Sequence, residues 1–102
     1  MAHTIRLTGH WTARELAPGR VRHSRRFGSP RTLDAGETVW LVGTAPAAGS
    51  LYVNGELAAA IVAGARFEVE IQPLLKTRNE VWIELHASVE TPLGDVSLEI
   101  RS

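Results

Sequence analysis

The sequence predicts an all-β domain built as an antiparallel β-sandwich, and two patterns support this prediction. Apolar and polar residues alternate along most of the chain, which is the pattern of a strand with one buried face. Turn-forming residues recur at intervals of roughly ten residues, as they do in sandwiches and barrels. Only residues 56 to 62 and 73 to 76 could be helical, and neither segment is long enough for the crossover that parallel strands require.

The alternation is clearest in three segments, residues 66 to 71, 79 to 87 and 95 to 101. In each of them every second residue is apolar, and the residues between are mostly charged or polar. The apolar set should face the second sheet and exclude water. We therefore expect a core that includes Phe67, Val69, Ile83, Leu85 and Leu98.

Two tryptophans near the earlier strands are expected to have structural roles. Residues 39 to 42 form a continuous apolar run that contains Trp40, which is typical of a central strand and places Trp40 in the core. Trp11 follows Gly9-His10 and should anchor the terminal strand.

A β-hairpin is predicted around Asn54-Gly55. Leu51 and Val53 flank Tyr52, so the Tyr52 side chain should lie on the opposite face of its strand. Asn and Gly both tolerate positive φ, and this dipeptide favours the tight turn that matches strand twist. Gly55 is therefore expected to adopt a positive φ.

Length and composition limit the class of protein. With 102 residues the chain has the size of one domain, and we expect a single sandwich over residues 1 to 102. It contains no cysteine, so disulfides and thiolate metal sites are excluded. Residues 1 to 8 alternate in polarity and lack the pattern of a secretory signal. No stretch approaches the roughly 18 apolar residues of a membrane span, so a cytoplasmic protein without a membrane partner is expected.

The charges are unevenly distributed although the formal net charge is zero. Residues 1 to 33 hold seven arginines and a single acid, Glu15, whereas residues 34 to 102 hold ten acids and four basic residues. This arrangement favours pairing between early and late strands within the fold. Binding of a polyanion or nucleic acid is the alternative, but it also needs interleaved exposed aromatics, and Phe27 is the sole aromatic nearby.

The sequence contains no recognisable catalytic, metal or cofactor motif. Its four histidines, His3, His10, His23 and His86, do not show the spacing of metal ligands. The alternating glutamates between residues 68 and 84 could be paired for catalysis, but any solvated strand face has the same pattern. We therefore expect no enzyme activity, no cofactor and no metal ion.

A resemblance to a known family covers about two thirds of the chain, residues 25 to 87, and is strongest in the run LYVNGELAAAIVAGARFEVEIQPLLKTRNEVWIEL. This run resembles the sugar-binding jelly-roll domain that opens many family-two glycoside hydrolases, within the galactose-binding-like sandwich group. In that domain an Asn-Gly turn is followed by a Phe-led strand, a Leu-Leu turn and a strand that opens with Asn, and an arginine pair and a phenylalanine precede a proline upstream. The matching positions are Asn54-Gly55, residues 67 to 71, Leu74-Leu75, Asn79 and residues 25 to 30.

The resemblance implies a jelly-roll sandwich and a noncatalytic, carbohydrate-binding-like role. The catalytic carboxylates of those hydrolases lie in a separate barrel of roughly 250 residues, which a chain of this length cannot contain. Residues 58 to 60 and 63 to 65 are alanine-rich where the family has glycine and aromatic residues that shape a ligand-facing loop. A shared fold is not itself evidence of activity.

Trp82 marks the candidate ligand site because it lies opposite the apolar set of its own strand. Sugar sites stack a pyranose on Trp or Tyr and bond its hydroxyls through nearby charged groups. The candidate ligand-binding residues are Trp82, Glu84, Tyr52 and Arg26. Two alternatives stay open: the indole lies in a contact with a second copy or a protein partner, as in a structural or self-associating domain, or it is covered by loops or an arginine stem of its own chain.

Overall fold

The described residues form nine strands and one short 3-10 helix, packed as two antiparallel sheets. The structure is a computed structural model that describes residues 3 to 30 and 33 to 102, so Arg31 of the arginine-rich segment lies outside the described residues. The predicted antiparallel β-sandwich is confirmed. In chain order the elements are β1 His3–Arg6, β2 Thr12–Ala17, β3 Arg20–Gly28, β4 Thr38–Thr44, β5 Gly49–Val53, β6 Glu56–Ile61, β7 Arg66–Glu70, the 3-10 helix Gln72–Leu74, β8 Arg78–Leu85 and β9 Val96–Arg101.

Four strands form one sheet in the order β1-β9-β4-β7, and five form the other in the order β2-β3-β8-β5-β6. Each hydrogen-bonded pair of these strands is antiparallel. β4 lies between β9 and β7, as expected for its apolar run. Among the described residues, no helix has the length and apolar character needed to cross a membrane.

The turn between β5 and β6 has the geometry predicted for its Asn-Gly pair. Asn54 has a φ of 52° and Gly55 a φ of 82°, and a type I′ turn requires positive φ at both positions. The turn returns the chain alongside β5, where Glu56–Ile61 pairs as strand β6. The alternative that this segment is helical is therefore wrong, because strand pairing outweighs the helical preference of its alanines.

The core lies between the two sheets and contains most of the residues expected there. Phe67, Ile83, Leu85 and Leu98 are buried. Val69 is only partly buried and packs against the edge of the core, because β7 is the outermost strand of its sheet. Each fully buried side chain of this size contributes roughly 1.5 to 3 kcal/mol of transfer free energy.

Trp40 is not a core residue, contrary to the expectation from its apolar run. Its neighbours Val39 and Leu41 are fully buried, which leaves Trp40 on the outer face of β4. There the Arg101 guanidinium lies 4.6 Å from the centroid of the indole, and the Trp40 Nε1 donates a hydrogen bond to the Thr38 hydroxyl at 2.9 Å. A cation over the ring and a partner for its N–H allow this indole to remain outside the core.

Two asparagines join three segments at one end of the sandwich. Asn79 is buried, and its Oδ1 accepts from the Lys76 amide at 2.7 Å and from the Asn54 Nδ2 at 2.9 Å. The Asn79 Nδ2 donates to the Lys76 carbonyl at 2.9 Å. Asn54 also donates to the Leu74 carbonyl at 2.8 Å and accepts from the Glu80 amide at 2.9 Å. Both side-chain amides thus have donors and acceptors satisfied by protein groups.

His23 is a buried histidine on the core face of β3. It follows Val21 in the strand alternation, is 5% exposed, and has an Nε2 atom without a hydrogen-bond partner among the described residues. Burial disfavours the charged imidazolium and lowers the pKa of His23. The folded chain therefore holds the neutral ring.

Gly49 should be intolerant of any side chain. A Cβ at this position would lie 1.8 Å from the Glu84 carbonyl oxygen, and that oxygen belongs to the adjoining strand β8. We expect Gly49→Ala to lower the free energy of unfolding by roughly 3 kcal/mol, because the backbone must move to relieve the clash. Urea denaturation measures this change. Gly28→Ala is the matched control, since its Cβ would meet no atom within 4 Å, and equal midpoints for the two variants would contradict the assignment.

Stability should fall as the pH drops below the ordinary pKa of histidine. In the unfolded chain His23 binds a proton near its ordinary pKa of 6.5, whereas in the folded chain its pKa is lower. Between these two values the unfolded state binds more protons, so its free energy falls relative to that of the folded state. Tm measured from pH 7.5 down to 5 should therefore decrease, and His23→Leu should flatten the slope. His86→Gln, at an exposed position, should keep the wild-type slope; a steep slope that persists in His23→Leu would contradict this origin.

Candidate functional site

The outer face of the five-stranded sheet carries the predicted ligand-binding residues. Strand register places Tyr52 opposite Trp82, Leu57 opposite Tyr52, and Ser24 opposite Trp82 on the other side. These four side chains form a row across β6, β5, β8 and β3, which we call the aromatic row after its two central residues. The Tyr52 and Trp82 ring centroids are 6.1 Å apart with an interplanar angle of 58°, which is a favourable tilted arrangement of two aromatic rings.

A charged row lies beside the aromatic row. Glu84 is opposite Arg22 on β3 and Ser50 on β5. The Nε and Nη2 atoms of Arg22 both lie 2.8 Å from one Glu84 oxygen, and Arg20 approaches the other oxygen at 3.6 Å. Only 11% of the Glu84 side chain is exposed. A carboxylate so removed from water needs such cationic partners to remain in the fold without a large cost.

Arg22 covers the ring of Trp82. Its Cζ lies 4.1 Å from the indole centroid, and the contact to Glu84 holds the guanidinium in that position. The Trp82 Nε1 donates to a Glu80 carboxylate oxygen at 2.7 Å. The Trp82 indole is thus partly covered by an arginine of its own chain, which is one of the alternatives that the sequence left open.

Arg26 lies at the edge of this face and not beside the aromatic pair. It is opposite Glu80 in the register, and its Nε is 3.7 Å from a Glu80 carboxylate oxygen. The Arg26 side chain is 89% exposed, so this ion pair contributes little to stability. Together with Arg20 and Arg22, it shows that early arginines pair with acids of the late strand β8.

Sequence reasoning missed Arg22 and Leu57. The sequence predicted no site role for Arg22, because the register between β3 and β8 decides that Arg22 lies next to Trp82. Register is a property of two strands and cannot be deduced from the pattern of one. Leu57 is 65% exposed, and its signal was a single apolar residue directly after the hairpin turn.

The two glutamates on the outer face of β8 are not spaced as a hydrolytic pair. Glu80 and Glu84 are four positions apart on β8, a separation of about 13 Å at the usual rise per residue, whereas paired catalytic carboxylates lie about 5 to 9.5 Å apart. On the other sheet Glu68 and Glu99 both accept hydrogen bonds from Arg101, and the first of these bonds lowers the pKa of Glu68. Within residues 3 to 30 and 33 to 102, no cluster of three or more His, Asp or Glu side chains could hold a metal ion.

Comparison with known proteins gives matches at the level of structure. No protein-family model and no curated protein matches the chain. The chain is similar to an FMN-binding β-glucuronidase from Facaelibacterium prausnitzii L2-6, with a TM-score of 0.79 and 22% identity over 97% of this chain and 22% of that one. It is also similar to the β-D-glucuronidase of Dictyoglomus thermophilum, with a TM-score of 0.80 and 17% identity over 97% of this chain and 28% of that one.

A third solved structure extends the same result. The β-glucuronidase of Bifidobacterium dentium, complexed with coumarin-3-O-glucuronide, has a TM-score of 0.78 and 17% identity over 97% of this chain and 30% of that one. The chain therefore spans less than a third of the length of each of these glycoside hydrolases. At these identities the likeness establishes a shared fold, and it agrees with the resemblance of residues 25 to 87 to a domain of family-two glycoside hydrolases.

Removal of Arg22 should uncover the Trp82 ring. We expect Arg22→Ala to cost about 1 to 2 kcal/mol, because the cation–π contact is lost and Glu84 loses its nearest cation. Acrylamide quenching of fluorescence, measured in a Trp11→Phe/Trp40→Phe background so that Trp82 alone emits, should increase. Arg20→Ala is the control, because Arg20 only touches Glu84 at 3.6 Å and its side chain is 52% exposed. Unchanged quenching in Arg22→Ala would show that the guanidinium does not shield the indole.

Proposed function

We propose that the chain is a noncatalytic carbohydrate-binding domain, a galactose-binding-like jelly roll whose saccharide lies across the outer face of the five-stranded sheet. The observation that carries this proposal is the pair of rings, Tyr52 and Trp82, whose centroids lie 6.1 Å apart within a border of charged side chains. A pyranose has an apolar face that packs on such rings and hydroxyls that bond to the charged groups around them.

The roles of the site residues follow from their contacts. Tyr52 supplies the stacking surface, because Arg22 occupies one face of Trp82. Trp82 supports the Tyr52 ring from the neighbouring strand. Arg22 binds Glu84 through Nε and Nη2, which leaves the Nη1 hydrogens of its guanidinium for ligand hydroxyls. Arg26, at the edge of the face, suits a ligand longer than one sugar.

The structural neighbours support a role connected with sugars and suggest its charge. They are β-glucuronidases, and a glucuronide carries a carboxylate. On this face Arg20 and Arg22 lie on one side of the aromatic row and Arg26 on the other, and either group could bind a uronic acid unit through charge-assisted hydrogen bonds. The proposed role is noncatalytic because the resemblance is to a domain separate from the catalytic barrel of those hydrolases, and because Glu80 and Glu84 of this face lie about 13 Å apart, too far for a hydrolytic pair.

Contact with a protein surface is the second candidate, and the exposure of Leu57 favours it. Leu57 is 65% exposed beside Tyr52, so Leu57, Tyr52 and Trp82 form an apolar row in the middle of the face. Aromatic and aliphatic side chains surrounded by charged ones are also typical of protein interfaces. The occupant would then be a second copy of the chain or another domain.

Variants of Tyr52 distinguish saccharide binding from protein contact. A glycan array at high protein concentration identifies the saccharide, and calorimetric titration should then give a submillimolar to millimolar Kd, or roughly 4 to 5 kcal/mol. Tyr52→Ala should weaken this affinity at least tenfold without loss of fold, because the stacking surface is lost. Tyr52→Phe, which keeps the ring, should retain most of it. Equal affinity in Tyr52→Ala would contradict the proposed site.

Leu57→Ser provides the opposite control. It should leave saccharide affinity unchanged, because Leu57 lies beyond Tyr52 at the outer strand β6. If the face binds protein, the same variant should shift a dimer toward monomer in sedimentation velocity. A chain that binds no glycan would contradict the first candidate, and a chain that remains monomeric at high concentration would contradict self-association through this face.

A further inference from the structure

A second candidate site lies in a cleft that shares no lining residue with the Tyr52–Trp82 face. The cleft has a volume of about 630 Å³, and its lining includes the loop between β1 and β2, the start of β9 and the interior side of β3. Trp11 and His23 are among its lining residues. The volume falls within the range of about 300 to 1,000 Å³ that is usual for small-molecule sites.

The loop between β1 and β2 is fixed in an unusual conformation at the cleft. Gly9 and His10 have φ values of 70° and 60°, and the second is a costly conformation for a residue with a side chain. The Trp11 Nε1 donates to the Leu7 carbonyl at 2.8 Å, and the Arg25 Nε donates to the Gly9 carbonyl at 2.9 Å. These bonds hold Trp11 in place, as expected for an anchor of the terminal strand, and make the wall of the cleft a preformed surface.

His23 also has an unmet hydrogen bond. Its Nε2 atom is buried and has no partner among the described residues, and His23 is among the residues that line the cleft. Such an atom costs roughly 1 to 3 kcal/mol. An aliphatic residue would suit this position of β3 without that cost, so the histidine is explained best by a partner that comes from outside the chain.

Two charged side chains at the cleft also lack partners. Arg6 and Asp95 both line the cleft, and neither side chain forms a hydrogen bond or an ion pair with another described residue. In contrast, Arg66 and Glu99, which line it too, bind each other at 3.3 Å. A free guanidinium and a free carboxylate together offer donors and acceptors to vicinal hydroxyls. Their charges cancel, which favours a neutral ligand.

We propose that this cleft binds one neutral, hydroxylated ring of the size of a monosaccharide, with a ring hydroxyl hydrogen-bonded to the Nε2 of His23. Trp11 and Leu93 supply apolar surface for the C–H groups of the ring. Arg6 and Asp95 bind hydroxyls on the opposite side. Because the Nε2 atom is buried in this structure, the contact requires a rotation of the ring about χ2, a torsion that is broad in histidine. This site goes beyond the sheet-face function and does not depend on it.

Titration of the full chain with methyl β-D-glucopyranoside tests the proposal. Long-range proton–nitrogen NMR spectra at pH 7 report the imidazole nitrogens of His23 directly. The Nε2 resonance of His23 should shift in a saturable way with a Kd in the millimolar range, while the exposed His86 should not shift. The absence of a His23 shift up to about 100 mM probe, a concentration far above such a Kd, would overturn the proposal.

Three variants locate the binding. His23→Leu should fold at least as stably as the parent chain and bind the probe at least tenfold more weakly, since it removes the Nε2 atom. Arg6→Ala, at an exposed position, should weaken binding severalfold without affecting the fold. If His23→Leu does not fold, this variant tests whether the probe binds in the cleft. Tyr52→Ala should bind the probe as the parent chain does. If His23→Leu or Arg6→Ala binds normally and Tyr52→Ala does not, the probe binds the sheet face and the cleft proposal is wrong.

Discussion

The side-chain amides of Asn54 and Asn79 hold the corner on which the arrangement of β8 depends. They connect the β5–β6 turn, the segment after the 3-10 helix and the first residues of β8 through five hydrogen bonds of 2.7 to 2.9 Å. β8 is the central strand of its sheet, paired with β3 on one side and β5 on the other. A slip of one residue would turn Trp82 into the core and Val81 out to solvent. The corner therefore secures the register that creates the aromatic row.

This corner also explains what the resemblance to a glycoside hydrolase domain can and cannot reveal. The matched positions Asn54-Gly55, Leu74 and Asn79 meet there, and their roles are turn geometry and hydrogen bonding inside the fold. Such residues specify how the chain turns and where strands begin. Their roles therefore carry information on architecture and do not by themselves identify a ligand.

In both sheets an arginine that is held by a glutamate covers a tryptophan on the outer face. On one sheet Arg22 lies over Trp82 and is held by Glu84; on the other Arg101 lies over Trp40 and is held by Glu99. The uneven charge of the sequence is thus partly used in contacts within the molecule. Because the arginines occupy the indole faces, stacking surface is left mainly to Tyr52. The asparagines of the corner are fully hydrogen-bonded, whereas the His23 Nε2 has no partner among the described residues.

The sequence by itself determined the fold class, the hairpin at Asn54-Gly55 and four of the five expected core residues, because alternation and turn chemistry act over a few neighbouring residues. It also placed Tyr52 and Trp82 on the polar faces of their strands. Tertiary structure alone decided that β6 is a strand, that Trp40 lies outside the core, and that Arg22, 62 residues away from Glu84, covers Trp82. The cleft at His23 likewise needs the β1–β2 loop beside β9. These features depend on strand order and register, which are set by pairing between distant segments. The local pattern of a single strand does not reveal its partner or its register.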